Sequence, residues 1–308
     1  MLQQGLFVAD LAYLLNEGAP STMPIWGSGL TPAPPDGYDY DYINADVLLT
    51  RMSVGEGGRL VLPDGMSYRV LVLPHTDRMR PELLQKLREL VAGGATVVGP
   101  RPLRSPSLSD YPGADGTVQA LAAELWGDLD GVSRTIRRYG KGMVVWGLPL
   151  DRILTSLGVQ RDFDYGRSLD ADVAWLHRRA GDADIYYVAN LTDSAQAFNA
   201  RFRVEGKEAE LWHPDTGEIV PVDHTLTREG TLVPLHLAER QSVFVVFRRT
   251  AASPSSTSTP ARSAKVADLG GPWEVRFPPN LGAPSKPQLS ELRPWTESAD
   301  EGVKTVNR

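Results

Sequence analysis

Three short apolar runs constrain this chain more than any other feature: RVLVL (Arg69–Leu73), ATVVGP (Ala95–Pro100) and MVVWG (Met143–Gly147). Each is too short and too continuously apolar for a surface helix, and suits a strand buried on both faces. Helical patterns lie between and around them. Pro81 sits near the first turn of one, Leu83, Leu84, Leu87, Leu90 and Val91 form its apolar stripe, and Gly93-Gly94 stop it. Val118–Trp126 and Leu150–Leu157, the latter closed by Gly158, are two more. Upstream, Ile43, Val47, Leu48 and Met52 keep helical spacing, and Arg59–Leu62 with Tyr68–Leu73 make two strands about the Pro63-Asp64-Gly65 turn. Strands alternating with helices over short connections predict a parallel sheet with right-handed crossovers.

After Gly158 the helical signal ends. Val173–His177, Ile185–Asn190, Phe198–Val204, Glu210–Trp212, Thr231–Leu237 and Ser242–Phe247 are short, strand-like and separated by turn residues. Phe198, Ala200, Phe202 and Val204 alternate with polar neighbours, which predicts a small antiparallel β-sandwich. Ala251–Ser263 is a Ser/Thr/Pro tract that buries too little to order itself and reads as a linker. From about Asp268 a third unit starts with LGGPWEVRF, but its remaining length is too small to close a β core alone. The chain is therefore expected to stop inside a domain, with a poorly ordered tail beyond Phe277. At the other end, Leu2, Leu6, Phe7, Leu11, Leu14 and Leu15 fall near one stripe and predict an amphipathic helix, without the basic start or small-residue cleavage site of a signal peptide.

Composition narrows the function classes. The 308 residues carry a net charge of −6, which argues against a nucleic-acid partner, because phosphate binding needs a basic face. No apolar run approaches the roughly 18 residues of a membrane span. With no cysteine, disulfides, thiolate metal sites and cysteine nucleophiles are excluded. Neither Gly93-Gly94 nor Gly140-Lys141-Gly142 has the frame of a phosphate loop, and no GxSxG elbow is present.

The densest group of site-like residues is Tyr38, Asp39, Tyr40, Asp41, Tyr42, Asn44 and Asp46, with Trp26 nearby. Aromatic rings pack on the C–H faces of sugars and carboxylates accept hydrogen bonds from hydroxyls. Asp39 and Asp41, two apart, share a face of an extended segment at about 7 Å, and flanking carboxylates are what glycoside hydrolysis requires. The plain alternative is an exposed turn whose rings cover the core. Tyr40, Asp41 and Asn44 fit sugar contact and structural roles equally, while Asp46 reads first as a helix-start carboxylate. Asp39-x-Asp41 lacks the Gly and Glu of a calcium loop, so no metal site is assigned to it. His75 and Asp77 follow the RVLVL strand, where open sheets hold ligands, but they read first as a polar loop. His177, His213, His224 and His236 lack metal-ligand spacing and read as surface or cross-strand residues.

Five segments together carry a family resemblance: GYDYDYINADVLL, RLVLPDGMSYRVLVLP, GATVVGP, ELWHPDTGEI and LGGPWEVRF. In that order they resemble the second half of bacterial α-L-rhamnosidases of glycoside hydrolase family 106. The resemblance implies a catalytic (β/α)8 barrel ahead of these residues, with calcium in the full-length enzyme's site and no cofactor in this chain. It implies a fold of class α/β plus all-β: a flavodoxin- or class I amidotransferase-like parallel α/β domain, then a small antiparallel β-sandwich, then an incomplete galactose-binding-like β segment. Residues 1–34 would be a helix and loop from the end of the barrel, 35–160 the α/β domain, 165–250 the sandwich, 251–266 the linker and 267–308 the start of the galactose-binding-like unit.

No eightfold βα pattern is present, so no catalytic residue is assigned, and Tyr38, Asp39, Tyr40, Asp41, Asn44 and Trp26 are the expected substrate contacts. The expected partners are rhamnose-containing glycans, the missing barrel and a possible second copy of the chain. A non-catalytic carbohydrate-binding or oligomerisation module is the alternative. The resemblance implies export of full-length members, but these residues assign no compartment.

Overall fold

The structure, a computed structural model, describes residues 1–18, 29–166, 172–256, 267, 270–280, 282–284, 286 and 288–305. It is mostly β-sheet with few helices, and the chain divides into two units, Met1–Ser258 and Thr259–Arg308.

The first unit opens on β1 (Leu6–Phe7), β2 (Leu11–Leu14) and β3 (Tyr40–Ile43), followed by α1 (Ala45–Thr50). A small antiparallel flap follows, β4 (Ser53–Val54), β5 (Leu60–Val61) and β6 (Ser67–Tyr68), turning at Pro63-Asp64-Gly65 as expected. Then come β7 (Val70–Val72), α2 (Pro81–Gly93), β8 (Thr96–Val98), α3 (Gly113–Trp126), the hairpin β9 (Ile136–Tyr139) and β10 (Gly142–Val145), and α4 (Leu150–Ser156). Five strands run parallel in the order β3-β2-β7-β8-β10, and β9 adds antiparallel at the edge. The apolar runs are buried strands as expected. Leu71, Leu73, Val97 and Val144 pack under α2 and α3, while Val70, Val72, Val98 and Val145 pack under α4. Each fully buried leucine of α2 contributes about 1.5–3 kcal/mol relative to exposure.

The amphipathic helix expected over the first fifteen residues is not formed. Leu11–Leu14 is instead an inner strand of the parallel sheet, with all four residues buried. A run this rich in apolar residues satisfies both the helical and the doubly buried strand pattern, so periodicity alone does not separate them. The segment therefore belongs to the α/β sheet rather than to a separate helical end piece.

The sandwich is built from β11 (Phe163–Asp164), β12 (Val173–Ala180), β13 (Ala183–Asn190), β14 (Gln196–Phe202), β15 (Lys207–Trp212), β16 (Ile219–Pro221), β17 (His224–Thr227), β18 (Gly230–Leu237) and β19 (Ser242–Thr250). One sheet has the order β1-β12-β13-β19-β15-β16, so the second strand partner of β12 is the chain's own start. The other has the order β11-β14-β18-β17, extended by Ser255–Ser256. The start of the expected linker is thus a strand, and 257–266 lie outside the described residues. Tyr186, Phe202, Val233, Val245 and Phe247 fill the space between the sheets.

In the second unit Trp273–Glu274 pairs with Gln288–Leu289. Phe277 and Val303 are buried, and Phe277 meets the Trp295 ring edge-on at 5.0 Å. Beyond Phe277 the described residues form a strand at Gln288–Leu289, a single helical turn at Trp295–Glu297 and a short helix at Glu301–Thr305.

Candidate functional site

The Asp-Tyr segment becomes β3, and its alternation separates the two residue types. Tyr40 and Tyr42 lie on one face with Tyr13, their rings meeting at 5.5–6.4 Å. Asp39 and Asp41 have the opposite parity. Asp41 accepts from the Tyr42 N–H at 2.8 Å and the Tyr68 hydroxyl at 2.9 Å, and Asp39 accepts from the Tyr40 N–H at 2.9 Å. Burial pushes the Asp39 carboxyl up to about 7, against the Tyr40 hydrogen bond and helped by the nearby charges of Asp162, Asp41 and Asp10. These contacts favour the structural reading of Tyr40 and Asp41. Asn44 caps α1, its side chain accepting from the Val47 N–H at 2.9 Å, and Asp46 lies in the first turn. His75 is exposed, and Asp77 pairs with Arg104 at 2.7 Å. Trp26 lies outside the described residues.

Tyr38 differs from its neighbours. It is buried, its hydroxyl donates to the Val159 carbonyl at 2.9 Å, and it lines a groove of about 630 Å³ between the 34–38 loop and the sandwich. Phe163 forms part of the lining, with the Tyr165 and Trp175 rings at 5.7 and 5.5 Å from it, tilted by 35° and 32°. Both rings are only partly buried. Asp164 lies on the same wall, held by Arg201 at 2.9 Å and Arg161 at 3.4 Å. Burial alone would raise Asp164, but the Gly166 N–H and the two arginines outweigh it, so the carboxyl sits below its ordinary value and is ionised. The loop reaches the sandwich through Gly37, whose carbonyl accepts from the Asp162 N–H at 2.7 Å. Gly37 has φ +79°, and a Cβ there would lie 2.5 Å from the Phe163 carbonyl oxygen, so only glycine allows this approach. Aromatic faces beside a fixed carboxylate and a guanidinium can cover apolar ligand surface and hydrogen-bond to polar groups on it.

Behind the groove a chain of buried charges joins the sheet to the sandwich. His177, 1% exposed, holds Asp162 at 2.8 Å through Nδ1 and Asp184 at 3.2 Å through Nε2, and its ring stacks on Tyr186 at 3.9 Å. Tyr186 donates to Asp162 at 2.7 Å. Arg203 bridges Asp162 at 3.3 Å and Asp10, at the start of β2, at 2.9 Å. Lys207 and Arg179 complete the shell of Asp184 at 2.8 and 2.9 Å. Burial opposes charge on His177, but its two carboxylates prevail and raise it; burial likewise opposes Asp162, and His177 with Arg203 pulls it down. The surface role expected for His177 is therefore corrected, because it is a buried cation held between two carboxylates; the cross-strand role holds, since it pairs with Tyr186 across β12 and β13. Among the described residues, no group of three or more His, Cys, Asp or Glu is placed to hold a metal ion, and no helix is long and apolar enough to cross a membrane.

The family model of glycoside hydrolase family 106, α-L-rhamnosidase, matches residues 1–226, which include both walls of the groove and the buried charges. The chain belongs to the α-L-rhamnosidase family. A solved rhamnosidase from Novosphingobium sp. PP1Y is 37% identical and superposes with a TM-score of 0.81, over 98% of this chain and 28% of that one. A Formosa agariphila protein named "Putative beta-glucuronidase" is 34% identical over 250 residues, 80% of this chain. The chain spans 20% of that relative's length.

The Asp-Tyr segment led to Tyr38, but the opposite wall escaped the sequence reading. Tyr165 and Trp175 look like ordinary strand aromatics. Only the contact between Gly37 and Phe163, far apart in the chain, turns them toward Tyr38.

Proposed function

We propose that this rhamnosidase-family chain is an accessory part of a glycoside hydrolase that removes terminal α-L-rhamnose from glycans. The bond-breaking carboxylates would be supplied by a (β/α)8 barrel outside these residues. The groove lined by Tyr38, Tyr165 and Trp175 carries the reading. Its rings offer apolar faces to a deoxy sugar, and Asp164 and Arg161 offer an acceptor and a donor to its hydroxyls. Among the loop residues, Tyr38 is the proposed sugar contact. Asp39, Tyr40, Asp41 and Asn44 act on the sugar only through the position of that loop. The strand order β3-β2-β7-β8-β10 supports a flavodoxin- or amidotransferase-like assignment of the α/β domain, with Leu11–Leu14 added to the expected 35–160. Glutaminase chemistry through a cysteine nucleophile is absent, because the chain has no cysteine. The LGGPWEVRF start supports the galactose-binding-like assignment of 267–308.

Two measurements test this. The purified chain leaves an aryl α-L-rhamnoside intact, and adding a matching family barrel restores release of the aryl group. Turnover by the chain alone at an enzyme-like rate would overturn the division of labour. In calorimetric titration with L-rhamnose, Trp175→Ala weakens binding about tenfold, the scale of one lost aromatic contact; unchanged binding removes the groove from the site. Tyr38, Tyr165 and Trp175 all belong to this chain, which also favours a second reading as a non-catalytic sugar-binding module. On that reading rhamnose still binds, but the chain adds nothing to the barrel's turnover.

A further inference from the structure

A second cavity, of about 490 Å³, lies on the seam between the sheet and the sandwich, and its chemistry differs from the aromatic groove. Four arginines line it, Arg59, Arg69, Arg179 and Arg203, against two carboxylates, Asp10 and Glu205. Arg203 is committed to Asp10 and Asp162, and Arg179 to Asp184. Arg59 and Arg69 are different. Among the described residues neither has a carboxylate within ion-pair distance. Arg59 donates through Nε and Nη2 to the Ser67 hydroxyl at 3.1 and 2.9 Å, and Arg69 donates to the Leu157 carbonyl at 3.2 Å. Both are only partly exposed. Burial, followed by the neighbouring Arg69 guanidinium, holds Arg59 below the ordinary arginine value, with Arg203 and Arg179 adding to the repulsion and Asp10 opposing it. Two half-buried cations facing one cavity, with only neutral acceptors, gain from an anion that replaces lost water.

We propose that this cavity binds the carboxylate of an acidic saccharide, a hexuronic acid residue, through Arg59 and Arg69. A guanidinium fork matches a carboxylate in two parallel hydrogen bonds, and the cavity is large enough for a sugar ring around it. The site goes beyond the rhamnose reading: it uses none of the groove residues and would give the protein a second, charge-selective contact with a glycan. Because the seam joins both domains, an anion bound there also ties the flap strands β5 and β6 to the end of α4.

The test is calorimetric titration of the whole chain at constant ionic strength with D-glucuronate, D-glucose and inorganic sulfate. Glucuronate is expected to bind saturably, glucose not to bind, and sulfate to bind at least fivefold more weakly. Arg59→Gln with Arg69→Gln is expected to weaken glucuronate at least tenfold while leaving L-rhamnose binding at the groove unchanged, which keeps this outcome separate from that of the rhamnose reading. Arg59→Lys keeps the charge and loses the fork; it is expected to fold as the parent does by circular dichroism and to weaken glucuronate severalfold, and it decides the matter if the double variant does not fold. No saturable glucuronate binding, binding untouched by these substitutions, or sulfate binding as tightly as glucuronate would each overturn the proposal.

Discussion

Asp162→Ala should be the most damaging single change to the joint between the sheet and the sandwich, lowering stability by about 3 kcal/mol in urea denaturation near pH 6. The side chain is 1% exposed and accepts from His177 and Tyr186 while facing Arg203. Breaking a buried ion pair from one side costs about 3–5 kcal/mol, because the partner charge stays buried without compensation. The low end applies, since His177 keeps Asp184 and Arg203 keeps Asp10. The pH dependence identifies the cause. His177 is raised above its unfolded value, so its contribution is complete below about 6.5 and is lost as pH climbs through the folded value. Asp162 is depressed, so its contribution is complete above about 3.9 and is lost as pH falls through its folded value. The gap between parent and variant should therefore be widest between about pH 4 and 6.5 and narrow on either side. A gap that shows no narrowing as pH rises, at any pH where the parent stays folded, would mean that His177 is not the buried cation described above.

The same residues show where sequence reading ends. The parallel sheet was legible because Val70–Val72, Thr96–Val98 and Val144–Val145 are buried on both faces, and burial on both faces writes itself into the sequence as an unbroken apolar run. Leu11–Leu14 carried the same signature, yet Leu2, Leu6, Phe7 and Leu15 around it gave a helical stripe, and the sheet partner that decides between them, Val70, is 59 positions from Leu11 in the chain. Asp10, Asp162, His177, Asp184 and Arg203 were invisible as a group. Each stands among residues that look like strand ends, and a polar residue at a strand end is ordinarily solvated. Only the packing of sheet against sandwich buries the three carboxylates and His177 together and half-buries Arg203 beside them. The candidate groove was half legible for the same reason. Tyr38 belongs to a segment whose composition is unusual, whereas Tyr165 and Trp175 gain meaning only from the approach at Gly37.

Trp126→Ala is expected to lower stability by about 3–5 kcal/mol, the range for removing a fully buried large aromatic and leaving a cavity. Trp126 ends α3, is fully buried, and is among the largest side chains of the α/β core. Its indole N–H also donates at 3.0 Å to the carbonyl of Gly99, the residue just past β8. Gly99 has φ +155°, and a Cβ there would lie 2.6 Å from that of Leu73, so the β7 and β8 ends are packed directly against each other. The indole thus serves twice: its rings fill the space under α3, and its N–H fixes the carboxyl end of the sheet. Trp126→Phe separates the two roles. It keeps most of the volume and loses the donor, leaving the Gly99 carbonyl short of one partner, and is expected to cost about 1–3 kcal/mol. Thermal unfolding followed by tryptophan-independent far-ultraviolet circular dichroism distinguishes the cases. Equal losses for alanine and phenylalanine would assign the whole effect to the hydrogen bond. A loss below about 1 kcal/mol for alanine would contradict the burial of the Trp126 ring in the α/β core.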